Sequence, residues 1–163
     1  MNIVKLNRRE FLKSYTLIGG GLLLGLSGFP KLTEANGKSS LPPYLRIDPD
    51  GGIHLGVPSS EMGQGTHTTL AMLVAEELEV EMEHIQHIET LHHPDFKNGY
   101  LKTLAPKFNF QTTGGSSSIQ AWHQPFRKLG ATARELLRTA AANKWNIPVY
   151  ECRAPKTEIN WDF

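Results

Sequence analysis

The chain is poor in cysteine: Cys152 is the one thiol in 163 residues. A single cysteine excludes an internal disulfide. It also excludes a cysteine-built zinc or iron–sulfur centre within this chain. An excess of one charge is missing too. The 17 Lys and Arg stand against 16 Asp and Glu, a net charge of +1, so composition gives no basic surplus for nucleic acid. A long apolar run is also absent. The candidate, "SYTLIGGGLLLGLSGFP", is interrupted by glycine and falls short of the ~20 residues a spanning helix needs. Hydrophobic residues make up 39% of the chain, a little low for a well-filled core.

What is present begins with a targeting pattern. "NRREFLK" precedes that apolar run, and Thr33-Glu34-Ala35 offers a small-x-small cleavage site. Arg8 and Arg9, followed by Phe11, Leu12 and Lys13, resemble a twin-arginine export signal, which a receptor reads as an address. The expectation is an export signal over 1–35, a Gly/Ser/Pro-rich linker over 36–43 and a domain over 44–163. The protein is then periplasmic, or tethered to the membrane and facing the periplasm. An uncleaved N-terminal anchor is the alternative for 1–35.

The rest of the chain reads as α/β. Leu45 and Ile47, then Ile53, Leu55 and Val57, alternate with polar or small residues on either side of Asp50-Gly51-Gly52, predicting a β-hairpin. Leu70, Leu73, Val74 and Leu78 recur at helical spacing, with Thr66 or Thr68 as a possible cap. "HIQHIETLHHP" predicts another strand. "DFKNGYLKTLAPKFNFQ" has no clear period and reads as a long irregular loop. Trp122, Phe126, Leu129, Ala133, Leu136, Leu137, Ala140 and Ala141 mark one face of a long helix from about Ser116 to Asn143, with a kink expected at Pro125. The fold class predicted is a mixed sheet, edged by the hairpin, with two helices packed on it.

Both helices begin at a glycine-rich turn: "SSEMGQGTHTT" and "TTGGSSS". The first N–H groups of a helix have no internal partner and carry partial positive charge, so anions bind there. Gly114 and Gly115 let a ligand approach the backbone, and Ser116, Ser117 and Ser118 add hydroxyls. Gly63 and Gly65 expose the backbone around Gln64, whose amide can both donate and accept. Neither turn matches a Walker sequence or the dinucleotide fingerprint. As a pair, "SEMGQGTHTTLAMLVAEELEV" and "FQTTGGSSSIQAWHQPFRKLGATARELL" resemble the molybdenum hydroxylase large subunit. This is the xanthine dehydrogenase and aldehyde oxidase family, in the branch of the isoquinoline 1-oxidoreductase beta-subunit type.

The resemblance implies a role for each turn. Gly63, Gln64 and Gly65 would lie along the pterin end of a molybdopterin cytosine dinucleotide. Thr113, Gly114, Ser116, Ser117 and Ser118 would hold its pyrophosphate or dinucleotide part. It further implies a small [2Fe–2S] partner subunit, the remainder of a large subunit as a second partner, and passage through the twin-arginine export machinery. No catalytic or metal-ligating residue is assigned within this chain, because the family's base glutamate belongs to a distant downstream motif. The chain is therefore expected to be an N-terminal fragment, inactive alone, of low stability and with apolar faces left open. Glu61 is read as local structure. His84, His87, His92 and His93 are read as a solvated strand end and not a metal site, and Cys152 as a buried or half-buried thiol at a helix start and not a nucleophile. Two further readings remain open: a free-standing exported anion- or nucleotide-binding module, and a membrane-tethered interaction fragment without catalytic activity.

Overall fold

A computed structural model describes residues 6–7, 22–24, 44–48, 50–93, 96–153 and 158–161. The elements in order are β1 (Leu6–Asn7), β2 (Leu22–Leu24), β3 (Leu45–Ile47), β4 (Ile53–Val57), α1 (Thr66–Leu78), β5 (Ile85–Thr90), α2 (Gly99–Leu104), α3 (Ser118–Trp145), β6 (Cys152–Arg153) and β7 (Glu158–Trp161).

The predicted hairpin is β3 and β4, closed by a turn in which the Gly51 N–H donates to Asp48 O at 2.9 Å with Gly51 at φ 91°. It lies inside a four-stranded sheet of order β2-β3-β4-β5, not at its edge. β4 and β5 pair in parallel, and that geometry requires the crossover that α1 provides. β2 adds antiparallel to β3, Leu22 opposite Ile47. β2 thus falls within the stretch read from sequence as an export signal. A second, antiparallel sheet has the order β1-β7-β6.

The alternation in the hairpin does what period two requires. Leu45, Ile47, Ile53, Leu55 and Val57 are all buried, and Arg46 faces solvent. They meet Leu70, Val74 and Leu78 of α1, and Phe126, Leu129, Ala133 and Leu137 of α3, in one core. Tyr44 and Phe96 join it, their ring centroids 4.9 Å apart. The open apolar faces expected on hairpin and helices are therefore covered. Among the described residues of the hairpin and α3 no large apolar side chain is exposed, and on α1 only Met72 is.

Gly130 explains how closely α1 and α3 approach. A Cβ there would lie 2.7 Å from Val74 O and 2.9 Å from Glu77 Cβ. Ion pairs Arg127–Glu77 and Arg134–Glu79 then bridge the two helices. α3 runs unbroken from Ser118 to Trp145 with Pro125 inside it. Both long helices end on a left-handed residue, Glu79 at φ 57° and Asn146 at φ 56°. In each case the next N–H reaches back five residues, Val80 to Ala75 O and Ile147 to Ala142 O, the 6→1 bond of a Schellman closure.

Candidate functional site

The two glycine-rich turns lie side by side at one end of the sheet. The Ser60 N–H donates to Thr113 Oγ1 at 2.8 Å and joins the first turn to the second. Gln111 reinforces the join. Its amide nitrogen donates to Pro58 O, just past β4, and to Leu91 O, just past β5. Its Oε1 accepts from the His93 N–H at 3.2 Å. The sequence had placed Gln111 in an irregular loop. One side chain reaching three backbone groups leaves no periodic signal.

The first turn is closed by its own glutamate. Glu61 Oε1 accepts from the N–H groups of Gly63 at 2.8 Å and Gly65 at 2.9 Å, and Oε2 accepts from His67 N–H at 3.0 Å. Gly63 at φ 93° and Gly65 at φ 78° supply the left-handed backbone that turns these donors inward. The His67, Gly65 and Gly63 N–H groups stabilise the carboxylate and hold the Glu61 carboxyl at about 2, well below the ordinary 4.5. The N-cap of α1 is Gly65, not Thr66 or Thr68, and no side chain caps it from that position. Glu61, four residues earlier, reaches the His67 N–H in the first turn of the helix instead.

Gln64 is folded onto this turn. Its Nε2 donates to Ser60 O at 2.9 Å and to Thr66 Oγ1 at 3.0 Å, and its Oε1 accepts from Met62 N–H at 2.6 Å. Both amide hydrogens are engaged, so the side chain can still accept but not donate. The ring of His67 turns the same way, with Nε2 2.9 Å from Ser59 O and 3.3 Å from Thr90 Oγ1.

The second turn is open. Gly114, Gly115 and Ser116 take positive φ in succession, at 151°, 59° and 52°. All three are exposed. A Cβ on Gly114 would meet nothing within 4 Å. Directly behind stands α3, 28 residues long, whose N-cap Ser117 makes no side-chain capping bond. The first N–H groups of α3 therefore point toward this turn without an internal partner. A run of left-handed residues ahead of a helix start makes a concavity of backbone donors suited to phosphate or carboxylate oxygens.

Ser117 and Ser118 behave differently from Ser116. Ser117 is buried; its hydroxyl donates to Gly114 O at 2.6 Å and accepts from Asn98 Nδ2 at 2.7 Å. It braces the turn from behind. Asn98 in turn caps α2, with Oδ1 accepting from Leu101 N–H at 3.0 Å. The sequence left this stretch as a loop because Asn-Gly signals a turn as strongly as a cap. Ser118 is largely buried as well, so Ser116 carries the one exposed hydroxyl of the three.

The histidines beyond β4 do not assemble. His87 and His92 are exposed, and the His93 ring lies tilted against Phe96, centroids 5.5 Å apart. Among the described residues no cluster of three or more His, Cys, Asp or Glu is arranged to hold a metal. Cys152 is buried at the start of β6, not at a helix start. Burial pushes its thiol upward from 9.0, against the counter-effect of Arg138.

A hairpin, a parallel crossover and a long helix, with both helix starts gathered at one sheet end, define a cofactor-binding α/β segment. The chain belongs to the molybdopterin cofactor-binding domain family, whose profile matches residues 4–161. Among its relatives is the isoquinoline 1-oxidoreductase subunit beta of Brevundimonas diminuta, 30% identical over 113 residues, 69% of this chain and 14% of that protein. Another is the membrane-bound aldehyde dehydrogenase [pyrroloquinoline-quinone] of Gluconacetobacter polyoxogenes, 30% identical over 138 residues, 79% of this chain and 16% of that protein. The fold is shared with quinoline 2-oxidoreductase of Pseudomonas putida 86, with a TM-score of 0.51 and 18% identity over 71% of this chain and 13% of that one. The chain thus spans about a sixth or less of the length of these relatives.

Proposed function

We propose that this chain holds the anionic part of a molybdopterin dinucleotide at the start of α3, as one segment of an exported molybdenum-dependent oxidoreductase. The observation that carries the reading is the open turn at Gly114, Gly115 and Ser116, facing a 28-residue helix and tied to the Gly-Gln-Gly turn through Thr113. Backbone N–H groups there would bind phosphate oxygens, Ser116 would add a hydroxyl, and Ser117 would keep the turn in shape. Gly63, Gln64 and Gly65 would border the neutral, heterocyclic end. The cofactor, when bound, supplies the redox chemistry. The residues described here bind and orient it.

The cytosine form of the dinucleotide, a [2Fe–2S] partner subunit and oxidation of N-heterocycles or aldehydes belong to the same proposal. The substrate class is supported by the two relatives' names, an isoquinoline oxidoreductase subunit and an aldehyde dehydrogenase, and the cytosine form and the [2Fe–2S] partner rest on the resemblance carried by the paired motifs. Export through the twin-arginine pathway to the periplasm rests on Arg8, Arg9, Phe11, Leu12 and Lys13. The name of the second relative carries pyrroloquinoline quinone. The profile match over nearly the whole chain favours molybdopterin for this one.

Substitution at the second turn tests the reading. Gly114→Val places a branched side chain where the backbone runs at φ 151°. In the protein assembled with the chains it accompanies, this variant should lose bound molybdenum while keeping its helix content. Gln64→Ala should lower molybdenum content by a smaller margin. Full molybdenum content in both variants would contradict the assignment.

A further inference from the structure

The two turns share a composition but not a charge state, and the difference sits in Glu61. Three backbone N–H groups converge on its carboxylate within 3.0 Å. Two of them, the Gly65 and His67 N–H groups, are donors that a phosphate would use at the start of α1. Gln64, with both amide hydrogens engaged, offers a ligand an acceptor only. The second turn has no such resident. Among the described residues, no acidic side chain bonds the backbone N–H groups of residues 114–118.

We infer that Glu61 is a built-in anion that closes the Gly-Gln-Gly turn, so that the first turn rejects anionic groups and presents a hydrogen-bond acceptor, while the ligand's charged groups are directed to the second turn alone. Glu61 is thus a positioning residue. It fixes which end of an elongated, partly anionic ligand faces which turn, and it acts through the backbone of Gly63 and Gly65. This inference rests on the reading of the second turn given above, but its first half, an occupied first turn, stands on Glu61 alone. Charge-assisted bonds to N–H groups at a helix start are strong for their exposure. They are stable across the physiological range because the carboxyl stays ionised down to about pH 2.

The test requires no cofactor. The ¹⁵N-labelled full chain is titrated with inorganic phosphate and, separately, with acetate, and the backbone amide signals are followed. In the unmodified chain the Gly63, Gly65 and His67 amides should not move. In Glu61→Ala the same three amides should lose the downfield position that a carboxylate imposes, then regain it saturably with acetate. Saturable movement of these amides in the unmodified chain would overturn the inference. So would a folded Glu61→Ala chain that binds neither anion there. Should Glu61→Ala lose its dispersed spectrum, Glu61→Gln decides. Its amide keeps the length but has one acceptor oxygen and an NH2 that cannot accept, so the N–H groups bonded to the two carboxylate oxygens cannot all be kept. At least one of the three amides should shift toward its unbonded position, and three unchanged positions count against the clamp. The amides of residues 115–120 report on the second turn in the same titration. If those stay silent in the unmodified chain, the proposed function fails while the Glu61 result stands.

Discussion

At the scale of single residues, the site is shaped by side chains turned back onto their own loop. Glu61 carries a sharp pH signature. Its carboxyl lies near 2 when folded and at the ordinary 4.5 when free. Between these values the unfolded chain binds the extra proton, so stability rises with pH through that window and is level above it. The contribution of this carboxylate should fall away as pH drops from about 4.5 toward 2, and Glu61→Gln should abolish that dependence in acid-unfolding curves. A variant with an unchanged acid limb would show that the three N–H bonds do not persist in solution. Ser117 makes a different case. From the sequence its hydroxyl looks like a ligand contact, yet its partners are Gly114 O and Asn98 Nδ2. Ser117→Ala should leave buried polar groups unpaired and destabilise the fold by about 1–3 kcal/mol in denaturant titrations. Any loss of cofactor would follow from a deformed turn. The place of each turn ahead of a helix was legible in the sequence, because glycine and hydroxyl residues stand before both apolar periods. The direction of their side chains was not, since a hydroxyl bonds equally well to a ligand or to a carbonyl.

At the scale of elements, what was periodic was legible. The hairpin and both long helices follow alternating or 3.6-residue apolar spacing, and the structure has them within a residue or two of the expected ends. What was missed had no period. α2 is six residues long and depends on the Asn98 cap. The inner position of the hairpin follows from a parallel pairing and from β2, neither of which local pattern specifies. The α1–α3 contact yields a clear prediction. Gly130 lies against Val74 O with no room for a methyl group, and the nearest atom is backbone, not the end of a flexible side chain. Gly130→Ala should therefore destabilise by about 1–3 kcal/mol, despite alanine's better helix propensity. Thermal unfolding decides: a raised melting temperature would mean that the helices separate at no cost. Cys152, buried beside the Arg138 contact to its carbonyl at 2.9 Å, should resist alkylation until the chain unfolds.

At the scale of the whole molecule, the described residues form a closed core from sheet, α1 and α3, and the two glycine-rich turns crown one end of it. The sequence understated this closure, because counting apolar residues does not reveal how well two helix faces cover each other. The N-terminal stretch has a structural consequence of its own. β2 pairs with β3, so cleavage after Ala35 would remove β2 and leave β3 as a sheet edge. The intact mass of the protein recovered from its host will show which form is assembled. The central claim is that this chain contributes a seat for a molybdenum cofactor at the start of α3. The direct measurement is to recover the chain from its native host with whatever it assembles with, and to determine bound molybdenum and the nucleotide released on denaturation. The account predicts molybdenum together with a cytidine nucleotide, both lost in Gly114→Val. An intact assembly that holds neither would contradict it.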